Sequence, residues 1–350
     1  MKKLLIALPL FTFYQCQTTP EVPEVYAQVE TEQVIALEGE DAADDPAFWL
    51  HPEHPEQSLV FGSNKKLGLE AYTLEGKRLA SFNTGRLNNI DVALQVPVGD
   101  TVFDIVAGSN RDFDRIDIWA INEHPEELMM ISDTNFRTNL QGVYGFCLWN
   151  DTKQNKNYAF VNNKDGAVEQ WQLRTDSLPI QFNLVRSFSA AGQVEGMVVD
   201  TTIRMLYLGE EQGGIFAYSL DLPNQERIRV EMSGEENTDL AYDIEGLTVH
   251  YGPNEHWLIA SSQGNNRYAI FDIAHNHKYL GVFAIGTREL DGNEDTDGID
   301  VYSSAIGSTY PEGVFIAQDG YNKDQNGTAV PQNFKLIDWR DISVLFQEQH

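Results

Sequence analysis

The chain has 350 residues, 42% of them hydrophobic, and a mean hydropathy of −0.35, which describes a soluble globular protein with material for one large domain or two ordinary ones. Its 53 acidic residues against 24 basic ones leave a formal charge of −29, which argues against nucleic acid or an anionic membrane as a direct partner. An acidic excess of this size suits metal binding, a saline habitat or plain solubility, and composition does not choose among them.

Met1-Lys2-Lys3 and the apolar run over residues 4–14 read as an export signal, too short to cross a membrane as a helix. The signal is taken as residues 1–16. It ends at Cys16, placed like the cysteine of a bacterial lipoprotein, although Gln15 is not the small residue that normally precedes one. The protein is therefore expected to be exported, and secreted, periplasmic or lipid-anchored to the outer membrane. Residues 17–30, rich in Pro, Glu and Thr, read as a flexible tether. The other cysteine, Cys147, lies in an apolar run and reads as a small core residue, so no disulfide framework is expected.

Residues 32–37 are predicted to form a first strand, and from there short strands and turn signals alternate with no amphipathic helix among them. The strands repeat. Asp45-Pro-Ala-Phe-Trp, Asn89-Ile-Asp-Val-Ala, Tyr144-Gly-Phe-Cys-Leu, Glu195-Gly-Met-Val-Val, Glu245-Gly-Leu-Thr-Val and Asp297-Gly-Ile-Asp-Val follow one another at intervals of 44, 55, 51, 50 and 52 residues. Each opens on a mostly polar residue, often with Gly next, and runs into an apolar strand. A second strand with a polar ending follows (LVFGSNKK, IVAGSNR, YAFVNNKD, LYLGEEQG, WLIASSQG, VFIAQDG), then a third and usually a fourth. This pattern predicts an all-β, six-bladed β-propeller of four-stranded antiparallel blades, closed by pairing the N-terminal strand with the last unit and occupying residues 31–350.

In such a blade the start of the first strand and the end of the second share one face, nearest the axis. Asp45, Tyr144, Glu195, Glu245 and Asp297 should therefore converge with Lys65, Lys66, Arg111, Lys164, Glu211, Gln263 and Asp319. Adjacent carboxylates such as Asp44 and Asp45 repel unless a cation lies between them, and a hard cation such as Ca²⁺ takes several oxygen ligands; otherwise they make a solvated acidic turn. Lys65-Lys66 and Arg111 end equivalent strands in neighbouring units and point to an anion site rather than a solvated loop. Asn293-Glu-Asp-Thr-Asp297-Gly298 resembles the front half of a calcium loop, but Ser304 stands where an EF-hand needs Glu. His275-Asn-His277 lacks a third metal ligand and reads as structural. The thiolate-phosphatase, phosphohistidine, P-loop and nucleophilic-serine patterns are absent, so any hydrolysis is expected to proceed by metal-assisted attack of water.

The motifs DDPAFWLHP, NKKLGLEAYTLEGK, TGRLNNID, GSNR, VYGF, EGM, DIEGL, IASSQGNN, DTDGID and AQDG, in this order, resemble the β-propeller (alkaline) phytases from about Glu32 to Trp339. The resemblance implies several Ca²⁺ ions and stepwise hydrolysis of myo-inositol hexakisphosphate (phytate) at adjoining cleavage and affinity sites. It implies metal ligation by Asp44, Asp45, Glu211, Asp243, Glu245, Asp297 and Asp300, a set to which Asp319 is added here. Phosphate binding falls to Lys65, Lys66, Arg111, Tyr144 and Lys164, with Glu195 and Gln263 around the two sites. Catalysis is expected of Lys66, Arg111, Tyr144, Glu211, Asp243 and Glu245. At Asp165 the family usually has Glu, one methylene longer. Phytate and lower inositol phosphates are the expected partners; no protein partner is evident, and a monomer is expected. The alternatives are another metal-dependent propeller hydrolase, such as a lactonase, which gives no reason for the Lys65-Lys66 and Arg111 cluster, and a non-catalytic binding propeller, which has no need of so many convergent carboxylates.

Overall fold

The computed structural model describes residues 22–122, 124–222 and 226–347; the expected signal segment lies outside them. Six antiparallel sheets follow one another along the chain as the blades of a propeller. Blade 1 holds Ala43–Trp49, Leu59–Asn64, Gly68–Thr73 and Arg78–Asn83. Blade 2 holds Leu87–Val98, Thr101–Asn110, Arg115–Ile121 and Met129–Met130. Blade 3 holds Val143–Asp151, Lys156–Asn163, Ala167–Arg174 and Gln181–Ser189, and blade 4 Val194–Asp200, Met205–Glu210, Gly214–Ser219 and Ile228–Arg229. Blade 5 holds Ile244–Tyr251, His256–Ser262, Arg267–Asp272 and Lys278–Ile285; blade 6 holds Ile299–Tyr302, Val314–Asp319 and Asn333–Asp338.

The first three strands of each blade lie between two neighbouring blades, so both their faces are covered and they read as nearly continuous apolar runs. Only the outer strands alternate, as in Arg78–Asn83, where exposed and half-buried residues take turns. The apolar side chains accordingly form six separate cores, one at each seam between adjacent blades, with Cys147 in the core between blades 3 and 4.

The ring closes on the N-terminal segment, but earlier than the sequence pattern predicts. Val29–Glu30 is the outer strand of blade 6, pairing with Leu336 and Lys335. The N–H groups of Thr31 and Val34 continue this seam onto Phe334 and Gln332 without forming the expected 32–37 strand. Glu24–Val25 adds a parallel fifth strand to blade 5, against Ala284 and Ile285. The tether reading of residues 17–30 is therefore corrected from Val22 onward. Val22, Val25 and Val29 are spaced through the Pro- and Glu-rich stretch, and each packs into a seam core. The chain ends on a short helix, Trp339–Ser343, whose Trp339 and Ile342, with Phe346, cover the seam between blades 5 and 6.

A second correction concerns the register of the repeat. At the top of five blades the ladder between the first two strands skips: Ala43 pairs with Asn64 but Pro46 with Gly62, and Leu87 pairs with Asn110 but Ile90 with Gly108. The same β-bulge recurs at Val143/Phe146, Val194/Met197 and Ile244/Leu247. The first bulge residue is Asp44, Asn88, Tyr144, Glu195 or Glu245, with Asp297 in the corresponding place of blade 6. The second is Asp45, Asn89 or a glycine. Asp45 and Asn89 thus hold the glycine position, one residue beyond where the motif alignment sets them. Glycine serves there because the next blade comes close: a Cβ on Gly145 or Gly196 would lie 2.2 or 2.0 Å from the carbonyl oxygen of Glu195 or Glu245. The backbone N–H of Gly246 bonds to Asp297 O at 2.8 Å and that of Gly298 to Asp44 O at 3.0 Å, carrying the seam around the axis.

Candidate active site

The bulges aim the first residue of each pair at the axis, and contacts skip over intervening blades. Asn88 of blade 2 donates from Nδ2 to Glu195 Oε1 of blade 4 at 2.8 Å. The second-strand ends arrive beside them, where the ladder makes Lys65, Arg111, Lys164, Glu211 and Gln263 equivalent, each following the residue that pairs with the start of the inner strand. In blade 6 that place falls to Gly320. These strand ends are therefore divided: blades 1 to 3 bring cations and blade 4 a carboxylate, and the openings of the inner strands of blades 4 to 6 add Glu195, Glu245 and Asp297.

On the basic side Arg111 donates from Nη1 to Asn88 Oδ1 at 3.0 Å. The Tyr144 ring lies between Arg111, 5.8 Å from its centre, and the Lys164 ammonium, 4.1 Å from it. Lys66 and Lys164 are exposed. Among the described residues none of these three cations has a carboxylate ion-pair partner. The Tyr144 phenol donates to Glu195 Oε2. Burial, then the carboxylates of Glu195, Glu245 and Asp44, push its pKa up, so it stays a neutral donor.

On the acidic side Glu195, Glu211 and Glu245 are buried, each with a carboxylate oxygen within 4.8 Å of the others. Burial first and Glu195 second push the Glu245 carboxyl well above its ordinary range, and burial raises Glu211 as well. Glu211 also feels the charge of Asp243, which is bonded by the Gln212 amide. Beside this group Lys65 is ringed by Asp41 at 2.6 Å, Asp297 at 2.8 Å and Asp44 at 3.5 Å. Gln263 donates to Asp297 at 2.6 Å. Lys65 thus serves carboxylates here, whereas the sequence pattern gives it to phosphate. Burial pushes Asp44 and Asp297 up to about 7, against the opposing pull of Lys65.

Three expected metal ligands stand apart from this rim. Asp45 accepts the Ile90 N–H at 3.0 Å and joins blades 1 and 2. Asp300 lies further down the inner strand in the axial tunnel, where it accepts the N–H groups of Phe48 at 2.8 Å and Val301 at 2.7 Å. Asp319 is fully buried under the rim, 3.0 Å from the Lys335 ammonium. Conversely, Asp41, Asn88, Asp295 and Gln193 lie at the site although none is among the expected site residues. Asp41 holds Lys65, Gln193 donates to Glu211, and Asp295 is raised by burial and by Asp41 and Asp243 nearby. Of these, Asp41 carries a signal in the sequence as the third carboxylate of the stretch that opens blade 1, and Asp295 as part of the calcium-loop-like 293–298 stretch. His275 and His277 bond to Asp272 and Tyr207 respectively and form no joint site.

The geometry can hold a metal ion. Oδ2 of Asp44, which is 0% exposed, and Oε2 of Glu245 are buried without a hydrogen-bond donor, and Asp44 Oδ1 has only the Lys65 ammonium at 3.5 Å. Buried charged oxygens are normally paired or ligating.

Two comparisons with known proteins match most of the chain. The profile of the phytase family matches residues 10–350. A 3-phytase of Bacillus subtilis (strain 168) is 40% identical over 327 residues, which cover 91% of this chain and 85% of that protein. A match over the whole described propeller, with the acidic and basic halves of the rim both inside it, places the chain in the phytase family.

Proposed function

We propose that this protein is an exported, calcium-dependent phytase that removes phosphate from myo-inositol hexakisphosphate and lower inositol phosphates by attack of water. Hydrolysis of phytate follows from the family; the calcium requirement and the division of labour at the rim are our reading. The observation that carries it is the divided rim, where three cations without a carboxylate ion-pair partner among the described residues lie beside a group of three buried glutamates that likewise form no salt bridge among them.

Asp44, Glu195, Glu211, Asp243, Glu245 and Asp297 would hold the metal. The donors are all oxygens, without His or Cys, which suits Ca²⁺ over zinc or copper. When bound, calcium neutralises phosphate oxygens in a strongly acidic protein and acidifies a coordinated water. The remaining work belongs to side chains of this chain. Arg111 offers a planar fork and Lys66 a point charge to one phosphate, and Lys164, across the Tyr144 ring, serves the adjoining one. Tyr144, whose hydroxyl proton is donated to Glu195, stays neutral between the two cations and creates no repulsion as negative charge redistributes over the phosphoryl oxygens.

The test is phosphate release from phytate by the purified protein, in excess calcium and in excess chelator. Release with calcium and none with chelator is expected. Full activity in chelator would remove calcium from the mechanism, and no release in either condition would remove phytate.

A further inference from the structure

We infer that Asn88 is a positioning residue for phosphoryl transfer, orienting the Arg111 guanidinium while leaving its charge free; this rests on the reading of Arg111 as a phosphate ligand.

Asn88 is completely buried at the axis. It is the first bulge residue of blade 2, in a ring whose other members are Asp44, Tyr144, Glu195, Glu245 and Asp297. It alone is a neutral amide, and it stands where the basic half of the rim meets the acidic half. Its Oδ1 accepts from Arg111 Nη1 at 3.0 Å, and its Nδ2 donates to Glu195 Oε1 at 2.8 Å and to Asn89 Oδ1 at 3.0 Å. The second oxygen of Glu195 takes the Tyr144 phenol, and the Tyr144 ring lies against Arg111. Arg111, Asn88, Glu195 and Tyr144 therefore close a circuit of hydrogen bonds and ring contact.

Only an amide satisfies both neighbours. An aspartate would accept from Arg111 but turn a carboxylate towards Glu195. An aliphatic side chain would leave a buried carboxylate oxygen short of a donor and the guanidinium without its side-chain acceptor. The neutrality matters as much as the shape. Elsewhere in this molecule Arg204 is fixed by Asp151 through two bonds of 2.6 and 3.0 Å, and its charge is used up in that pair. Arg111 is held by an uncharged oxygen instead. Its remaining N–H groups and its full charge stay available for an incoming anion, in an orientation set before the substrate arrives. A donor fixed in advance favours the transition state over the bound substrate.

The experiment uses the full-length protein with saturating calcium, phytate as substrate, and the variants Asn88→Ala, Arg111→Ala and the double variant. Asn88→Ala should lower kcat by on the order of tenfold or more while changing KM little. The double variant should be no slower than Arg111→Ala alone, because the amide acts through the arginine. Millimolar guanidinium should partly restore Arg111→Ala when Asn88 is present and fail to restore the double variant. If Asn88→Ala does not fold, Asn88→Asp, which keeps the volume and the acceptor for Arg111 but pairs its charge, should also lower kcat, and a wild-type kcat in that variant would equally overturn the inference. Wild-type kcat in Asn88→Ala, or losses that multiply in the double variant, would overturn the inference while leaving the phytase reading intact. A wild-type protein inert towards phytate would overturn the reading itself.

Discussion

Two groups of carboxylates meet at the axis of this propeller, and only one carries its own cation. Asp41, Asp44 and Asp297 surround the Lys65 ammonium. Glu195, Glu211 and Glu245 approach one another within 4.8 Å with no salt-bridge partner among the described residues. At an effective dielectric of about 20, each ionised pair at that distance repels by about 3 kcal/mol. The fold offsets this repulsion internally on one side and leaves it standing on the other, where the Glu245 carboxyl is driven upward. The difference separates two uses of acidic residues. Lys65 offsets only part of the cost of ionising Asp44 and Asp297, which burial still raises to about 7, whereas the glutamate group has no salt-bridge cation among the described residues. Lys65 is engaged by three carboxylates, whereas Lys66, Arg111 and Lys164 have no carboxylate ion-pair partner among the described residues.

The largest effect should come from removing calcium altogether. Phosphate release should fall to background, and the melting temperature should drop. A site held at a hundred times its Kd adds about 2.7 kcal/mol, worth roughly 4 °C in a domain of this size. Calorimetry with and without chelator measures the shift, and an unchanged Tm would mean that the glutamate group needs no ion. Next in size, Arg111→Ala should lower kcat by about a hundredfold, as loss of one transition-state donor does, yet keep the calcium-dependent rise in Tm. Glu245→Gln should lose that rise together with activity. The two variants thus assign metal to one half of the rim and phosphate to the other, and identical behaviour would dissolve the division.

Lys65→Met makes the two acidic groups alike. Its calcium-free form should melt lower than wild type, and calorimetric titration should show an additional or tighter calcium uptake as the metal replaces the ammonium. The loss in kcat should be smaller than for Arg111→Ala. A collapse in phytate affinity with calcium uptake unchanged would instead make Lys65 a phosphate ligand. A milder effect concerns pH. Asp44 is raised from its ordinary 3.8 to about 7 by burial, with Glu195 and Asp41 adding to the rise, and Asp297 likewise. Between about pH 4 and pH 7 the folded protein then binds more protons than the unfolded chain, so calcium-free stability should fall as pH rises and level off above about 7. With calcium bound, the carboxylates are held ionised and that slope should disappear. A flat calcium-free profile would mean that the clustered carboxylates are not under strain.

Much of this was legible in the sequence. The Glu-Gly steps of blades 4 and 5 and Asp297-Gly298 mark positions where one backbone must touch the next, and the recurrence of strand openings at intervals of 44 to 55 residues set the blade count. Asp44-Asp45 and Asn88-Asn89 carry no glycine. Two like residues in a row do not say which one the bulge turns inward, and the register slipped by one in both blades. The role of Lys65 was hidden for a different reason. A lysine at a strand end looks the same whether it meets phosphate or aspartate, and what decides it is Asp297, 232 positions further on. The Pro- and Glu-rich N-terminus hid three valines that each find a seam, because their spacing fits no regular period.

The smallest expected effect on activity belongs to Asp319, which the strand ending AQDG groups with the metal ligands. Its position is equivalent to Asn64 and Asn110, buried beneath the rim, and not to Lys65 and Arg111 above it. There it faces Lys335, whose ammonium also bonds to Asp291 and to the carbonyl oxygens of Asp291 and Gly292. Both side chains are 0% exposed, so the pair is a fixed part of blade 6. Asp319→Asn keeps the shape and the acceptor for the Glu294 N–H but removes the charge. Lys335 keeps Asp291 as its counter-ion, so the variant should fold with a lowered Tm. Its calcium midpoint, and its kcat and KM for phytate, should match those of wild type. If the calcium titration of Asp319→Asn moved while its melting temperature did not, the aspartate would be reaching the metal, and the boundary drawn here between the rim and the layer beneath it would lie one residue too high.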